Sequence, residues 1–174
     1  FFKLLGSREA AAVASLGAGN SDDVTTRWPR CHFFQTSFYT KLAESSSEGY
    51  LYKNVRRWTS RGAGKVDVFT KDLIIVPIHC HGNHWTLAVI NVKMKRFEYF
   101  DSLFGSDGNV LANLRRWLED EHQDKKGAQL DTAKWRNVVF KKGMPAQQNG
   151  SDCGVFMTRT ADYLARDGRL DFTQ

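Results

Sequence analysis

The chain has 174 residues, and its 25 Lys and Arg against 19 Asp and Glu leave a formal net charge of +6. That length suits one domain, and 41% hydrophobic with 13% aromatic residues is ample for a packed core, which excludes disorder as the default. No apolar run approaches the ~20 residues of a membrane helix, so no membrane partner is expected.

In chain order, residues 1–5 read as the last turns of a helix, and the Ala-, Gly- and Ser-rich residues 6–26 as a mobile loop. From Cys31 to Leu42 the aromatics Phe33, Phe34, Phe38 and Tyr39 predict a buried helical element, ended by Ser45-Ser46-Ser47. The stretch Lys53 to Lys71 carries Lys53, Arg56, Arg57, Arg61, Lys65 and Lys71 against Asp67 alone, a concentration of charge that points to an acidic partner. Leu73-Ile74-Ile75-Val76-Pro77-Ile78 has strand length and leads to a Gly82-Asn83 turn. Trp85 to Val92 alternates as a second strand, Lys93-Met94-Lys95 turns the chain, and Phe97 to Asp101 forms a third. Short connections make these an antiparallel meander.

Val110, Leu111, Leu114, Trp117 and Leu118 then form one apolar helical stripe, and Trp135 to Phe140 reads as a further strand. Finally the polar turn Gln147 to Asp152 precedes Cys153-Gly154, with Phe156, Met157, Ala161, Tyr163 and Leu164 at helical spacing and Gly168 as the stop. The class is α+β, and Cys153 opens a helix.

The chemistry turns on the three thiols, Cys31, Cys80 and Cys153, an odd count that argues against a disulfide framework and for a reducing compartment. A thiol at a helix N-terminus sits where the macrodipole and free N–H groups stabilise negative charge, and those N–H groups can also receive the oxyanion of a tetrahedral intermediate. A nucleophilic Cys needs a base and a group to orient that base. His84 begins one strand and Asp101 ends the next, so antiparallel pairing brings the two to one end of the sheet. On this pattern alone a catalytic and a merely structural Cys153 both remain open. A zinc cluster of Cys31, His32, His79, Cys80, His81 and His84 is disfavoured, because His79 and His81 face away from Cys80 on a strand and no second ligand pair has finger spacing. Tyr50, Tyr52, Trp58 and Phe69 among the basic residues could form a nucleic-acid patch, but no nucleic-acid-binding signature accompanies them. No cofactor, metal or nucleic acid is expected.

Val76-Pro77-Ile78-His79 with His84-Trp85, then Tyr99-Phe100-Asp101-Ser102, then Gln147 to Cys153-Gly154 closely resemble the ubiquitin-like-protein-specific (sentrin- or SUMO-specific) cysteine proteases, in that family's order of His, Asp and Cys. Phe38 to Leu42, Arg57-Trp58, Lys65 to Phe69 and Asp171 to Gln174 resemble it too. The resemblance implies a papain-like or adenovirus-proteinase-like fold, with a central, mostly antiparallel sheet flanked by helices. It implies cleavage after the C-terminal Gly-Gly of SUMO, in maturation or deconjugation. Cys153 would be the nucleophile, His84 the base, Asp101 its orienting carboxylate and Gln147 an oxyanion donor. Trp85 would roof a channel that only glycines can thread, with His79 beside it, and Arg57 and Trp58 would lie near the modifier-binding surface. A protease for another ubiquitin-like modifier such as NEDD8, or a catalytically weak modifier-binding module, is the alternative. Residues 1–174 are expected to be a single, monomeric catalytic domain trimmed at both ends. The implied setting is intracellular, in the nucleus or nuclear envelope, with the cytoplasm as the alternative.

Overall fold

The computed structural model describes residues 28–44, 47, 49–61, 65–80 and 82–174. The expected helix end at residues 1–5, the loop at 6–26, two of the three serines at 45–47, and His81 lie outside the described residues. Five strands form one sheet in sequence order: β1 (Cys31–Phe33), β2 (Leu73–Cys80), β3 (His84–Asn91), β4 (Arg96–Phe100) and β5 (Arg136–Val139). Two longer helices cover it, α2 (Val110–Lys126) and α3 (Cys153–Ala165), and a one-turn helix α1 (Ser37–Tyr39) runs into a π-helical turn at Thr40–Glu44.

The β2–β3–β4 meander is antiparallel as expected, with Cys80 opposite His84 and Leu87 opposite Phe100. Both outer pairings are parallel, β1 on β2 and β4 on β5, so the sheet is mixed: antiparallel at its centre, parallel at both edges. The helix expected over Cys31 to Leu42 is a correction. Its first three residues are strand β1, which pairs with Leu73–Ile75 of β2, and helix begins only at Ser37. Three residues are too few for alternation to show, and the pairing partner lies some forty positions away.

The run Leu73 to Ile78 is unbroken because both faces of the sheet are buried. Ile74, Val76, Ile78, Ala88, Ile90, Phe97 and Tyr99 pack under α2, whose stripe Val110, Leu111, Leu114, Trp117 and Leu118 fills the core with Phe34, Phe38 and Leu42. Phe34 stacks on Phe38, and the Trp117 ring meets both edge-on at 5.3 Å. Leu73, Ile75, Leu87, Val89 and Phe100 face the other way, toward Met157 and Ala161 of α3. Pro77 is tolerated inside β2 because its backbone points the same way as that of Ile75, toward the side where β1 has already ended; Phe34 makes the last bond there, to the Ile75 carbonyl. Gly127, at φ +68°, closes α2 in the left-handed conformation and donates to the Gln123 carbonyl.

Candidate active site

His84 is the first residue of β3 and Asp101 the first beyond β4, and the register between those strands brings them together: His84 Nε2 lies 2.7 Å from Asp101 Oδ1. A carboxylate only accepts, so Nε2 carries the hydrogen in this bond. Asp101 is buried and the chain folds around its carboxylate: the Leu103 N–H donates to Oδ1 at 2.8 Å and the Gly105 N–H to Oδ2 at 3.0 Å. Phe104, between them, adopts φ +57°, and the Lys141 ammonium donates to the Phe104 and Gly105 carbonyls, holding the wrap from outside. A Cβ at Gly105 would stand 2.5 Å from Asp101 Oδ2, inside contact distance.

Cys153 is buried as the first residue of α3. Asn149 builds the turn before it: its Oδ1 accepts the Ser151 and Asp152 N–H groups, and its Nδ2 donates to the Asp152 carboxylate at 2.9 Å. No side chain caps α3, and among the described residues nothing accepts the Cys153 N–H, one of the donors every helix start leaves over. Gly154 brings this turn against β3, since a Cβ there would lie 3.6 Å from Trp85 Cδ1. Trp85, the neighbour of His84, in turn stacks on His79 across the β2–β3 ladder, with ring centroids 4.3 Å apart and 25° between planes.

Gln147 is buried and joined to Ser102, which follows Asp101 directly. Its N–H donates to the Ser102 carbonyl at 3.1 Å, Ser102 Oγ donates to its Oε1 at 2.6 Å, and its Nε2 donates to the Asn149 carbonyl at 2.6 Å. Of the residues singled out in the sequence, Cys153, His84, Asp101, Gln147, Trp85 and His79 thus converge on one end of the sheet. Arg57 and Trp58 belong to a separate patch. Trp58 is half-buried, edge-on to Phe38 at 5.6 Å, while Arg57 is exposed and lines a groove with Lys53, Arg56, Asp124 and Lys125.

Part of the basic stretch is answered within the chain. Arg56 pairs with Asp124 at 2.6 Å and Lys126 with Asp67. Hydrogen bonds from Arg56 and Lys125 hold the Asp124 carboxyl down at about 2. Burial and hydrogen bonds to Asp120 and Glu121 push the Tyr50 and Tyr52 phenols up. The other thiols have structural partners: Cys31 donates to the Pro29 carbonyl, and Cys80 lies 3.5 Å from the Thr86 hydroxyl and 3.7 Å from that of Tyr99. Among the described residues no three His, Cys, Asp or Glu converge as a metal would require. Sequence reasoning assigned no role to Ser102 or Asn149, though both fall within its motifs, and did not single out Gly105 or Lys141. Gly105 sits four places after Asp101, where a buried carboxylate needs donors, and that need was the available signal.

The profile of the "Ulp1 protease family, C-terminal catalytic domain" matches residues 17–174. The chain is 45% identical over 145 residues to ubiquitin-like-specific protease 1A of Arabidopsis thaliana, covering 83% of this chain and 28% of that protein. It is 36% identical over 148 residues to sentrin-specific protease 2 of Homo sapiens, covering 84% and 23% respectively. The chain therefore spans about a quarter of the length of these relatives. The X-ray structure of the C-terminal Ulp1 protease domain in complex with Smt3, the yeast ortholog of SUMO, superposes with a TM-score of 0.69 at 30% identity, over 85% of this chain and 62% of that one.

Proposed function

Because this chain belongs to the Ulp1 protease family, within its C-terminal catalytic domain, we propose that it is a cysteine protease and isopeptidase that cuts after the C-terminal Gly-Gly of SUMO. The observation that carries this reading is the His84–Asp101 hydrogen bond at the sheet end where a helix opens on Cys153. The relatives' names and the Smt3 complex of the yeast domain supply the substrate class.

In this reading His84 Nδ1 takes the proton of the Cys153 thiol, and the thiolate attacks the carbonyl carbon of the last glycine. The oxyanion that forms receives the Cys153 N–H and the second Nε2 hydrogen of Gln147, the first being held by Asn149. Asp101 keeps the ring oriented and stabilises the imidazolium. His84 then protonates the departing lysine amine, leaving a thioester on Cys153, and afterwards activates the water that hydrolyses it. Trp85, backed by His79 on one side and open to the helix turn at Gly154, roofs the tail: an indole over an extended strand admits glycine and excludes larger residues. We further propose an intracellular setting, the nucleus, nuclear envelope or cytoplasm, a reading supported by an odd count of cysteines with no disulfide among them.

The test is a panel of SUMO, NEDD8 and ubiquitin, each ending in a Gly-Gly electrophile. SUMO is expected to label Cys153 and to leave Cys153→Ala unlabelled. Labelling at another cysteine sinks the catalytic assignment, and preferential labelling by NEDD8 or ubiquitin sinks the choice of modifier.

A further inference from the structure

Gln147 has a role here only if its amide presents a hydrogen to the substrate, and a side-chain amide is free to rotate or turn end for end unless something prevents it. Two groups prevent it. The Asn149 carbonyl can only accept, so it selects the Nε2 end. The Ser102 hydroxyl donates to Oε1 at 2.6 Å from the opposite side, and both Ser102 and Gln147 are buried, so no solvent replaces that bond. Ser102 also accepts the Gln147 N–H at its own carbonyl, which makes the pair a two-point link between the chain leaving β4 and the turn leading to α3. The preceding residue is Asp101, which holds His84.

We propose that Ser102 is a positioning residue for the oxyanion donor. Its hydroxyl locks the Gln147 amide, and one dipeptide, Asp101-Ser102, sets the placement of both the base and the oxyanion hydrogen. The inference rests on the protease reading above and on Gln147 as the donor. Ser102 touches no reacting atom, so its removal acts on the chemical step and leaves modifier binding alone. Without the hydroxyl, the amide keeps only its Asn149 bond and swings; a donor displaced by an ångström forfeits much of the ~10²–10³-fold that such a donor contributes to kcat.

The experiment measures kcat and KM for SUMO carrying a fluorogenic amide on its Gly-Gly terminus, with the whole chain as wild type, Ser102→Ala, Ser102→Thr, Gln147→Ala and the Ser102→Ala/Gln147→Ala double variant. Ser102→Ala is expected to lower kcat ~10-fold with KM within about twofold. Its effect should vanish in the Gln147→Ala background, because a residue acting through the amide has nothing left to hold. Alkylation of Cys153 by iodoacetamide forms no oxyanion and should keep its wild-type rate in Ser102→Ala. Losses that multiply in the double variant, or slowed alkylation, would show a merely structural role and overturn the proposal. Should Ser102→Ala fail to fold, Ser102→Thr decides. It keeps the hydroxyl and should hold kcat within about threefold, whereas a loss matching that of Gln147→Ala overturns the assignment. A wild type that leaves the substrate intact overturns the protease reading itself; one that cleaves it while Ser102→Ala performs equally overturns only the positioning role.

Discussion

At the scale of single residues, the site depends on how tightly a few polar atoms are held. Cys153→Ser is expected to abolish turnover and keep binding of the modifier, since an alkoxide is far harder to form than a thiolate. Asp101→Asn should lose less than Cys153→Ala, and an equal or larger loss of kcat would give Asp101 a structural role beyond orienting His84. Gly105 makes a sharper case. Its backbone N–H comes so close to Asp101 that a methyl group would sit 2.5 Å from Oδ2. That oxygen cannot simply turn away, because the carboxylate is held by Leu103, Gly105 and His84 together. Gly105→Ala should therefore lower kcat ~10–100-fold by displacing the base, with KM unchanged; steady-state kinetics beside a thermal melt would separate this from unfolding. That His84 and Asp101 lie at facing strand ends and Cys153 at a helix start was legible from position along the chain, because strand ends and helix starts can be read from pattern. The roles of Ser102, Gly105 and Lys141 were not, because which groups satisfy a buried carboxylate or amide is settled by a loop with no periodicity.

At the scale of elements, β1 shows what pattern misses and what its placement costs. Its central residue, His32, is pressed edge-on to the Phe34 ring at 4.6 Å, and its buried Nε2 has no hydrogen-bond partner. Burial, with the nearby Lys71 charge, lowers its pKa from 6.5 to about 4. The folded chain thus holds His32 neutral where the unfolded chain would take a proton. The resulting stability is fully present above pH 6.5 and is lost as pH falls from there toward 4, by up to ~3 kcal/mol. Urea midpoints measured between pH 7.5 and 5 should fall more steeply for the wild type than for His32→Leu, and parallel curves would refute the assignment. α2 was easier to read. Its stripe was visible in the sequence, but its polar side carries Asp120, Glu121 and Asp124, which accept hydrogen bonds from Tyr50, Tyr52, Thr59 and Arg56. That helix face holds down the 50–61 segment, a use of charge that the helical period does not reveal.

At the scale of the whole molecule, the local excess of positive charge is divided between internal and external duties. Arg56 answers Asp124, whereas among the described residues Lys53, Arg57, Arg61 and Lys65 make no ion pair. If the proposed modifier binds here, those four are the residues its acidic groups would meet. KM for a SUMO substrate should rise with ionic strength at constant kcat. Arg57→Glu should raise it ~10-fold at low salt and flatten the salt dependence, while Arg56→Ala should do less; equal effects would mean the groove is not the contact. The described residues include no helix long and apolar enough to cross a membrane.

By itself the sequence determined the α+β class, the central meander, the helix behind Cys153 and the order of His, Asp and Cys, because hydrophobic period and turn chemistry are local properties of the chain. Only the tertiary structure decided the parallel outer strands, the strand at Cys31–Phe33, the internal pairing of Arg56 and the hydrogen bonds that hold Asp101 and Gln147. Each of those joins residues brought together by long-range packing or by an irregular loop. The physical reason is the same in every case: a buried polar group must find its partner wherever the fold provides one, and no periodicity along the chain says where that will be.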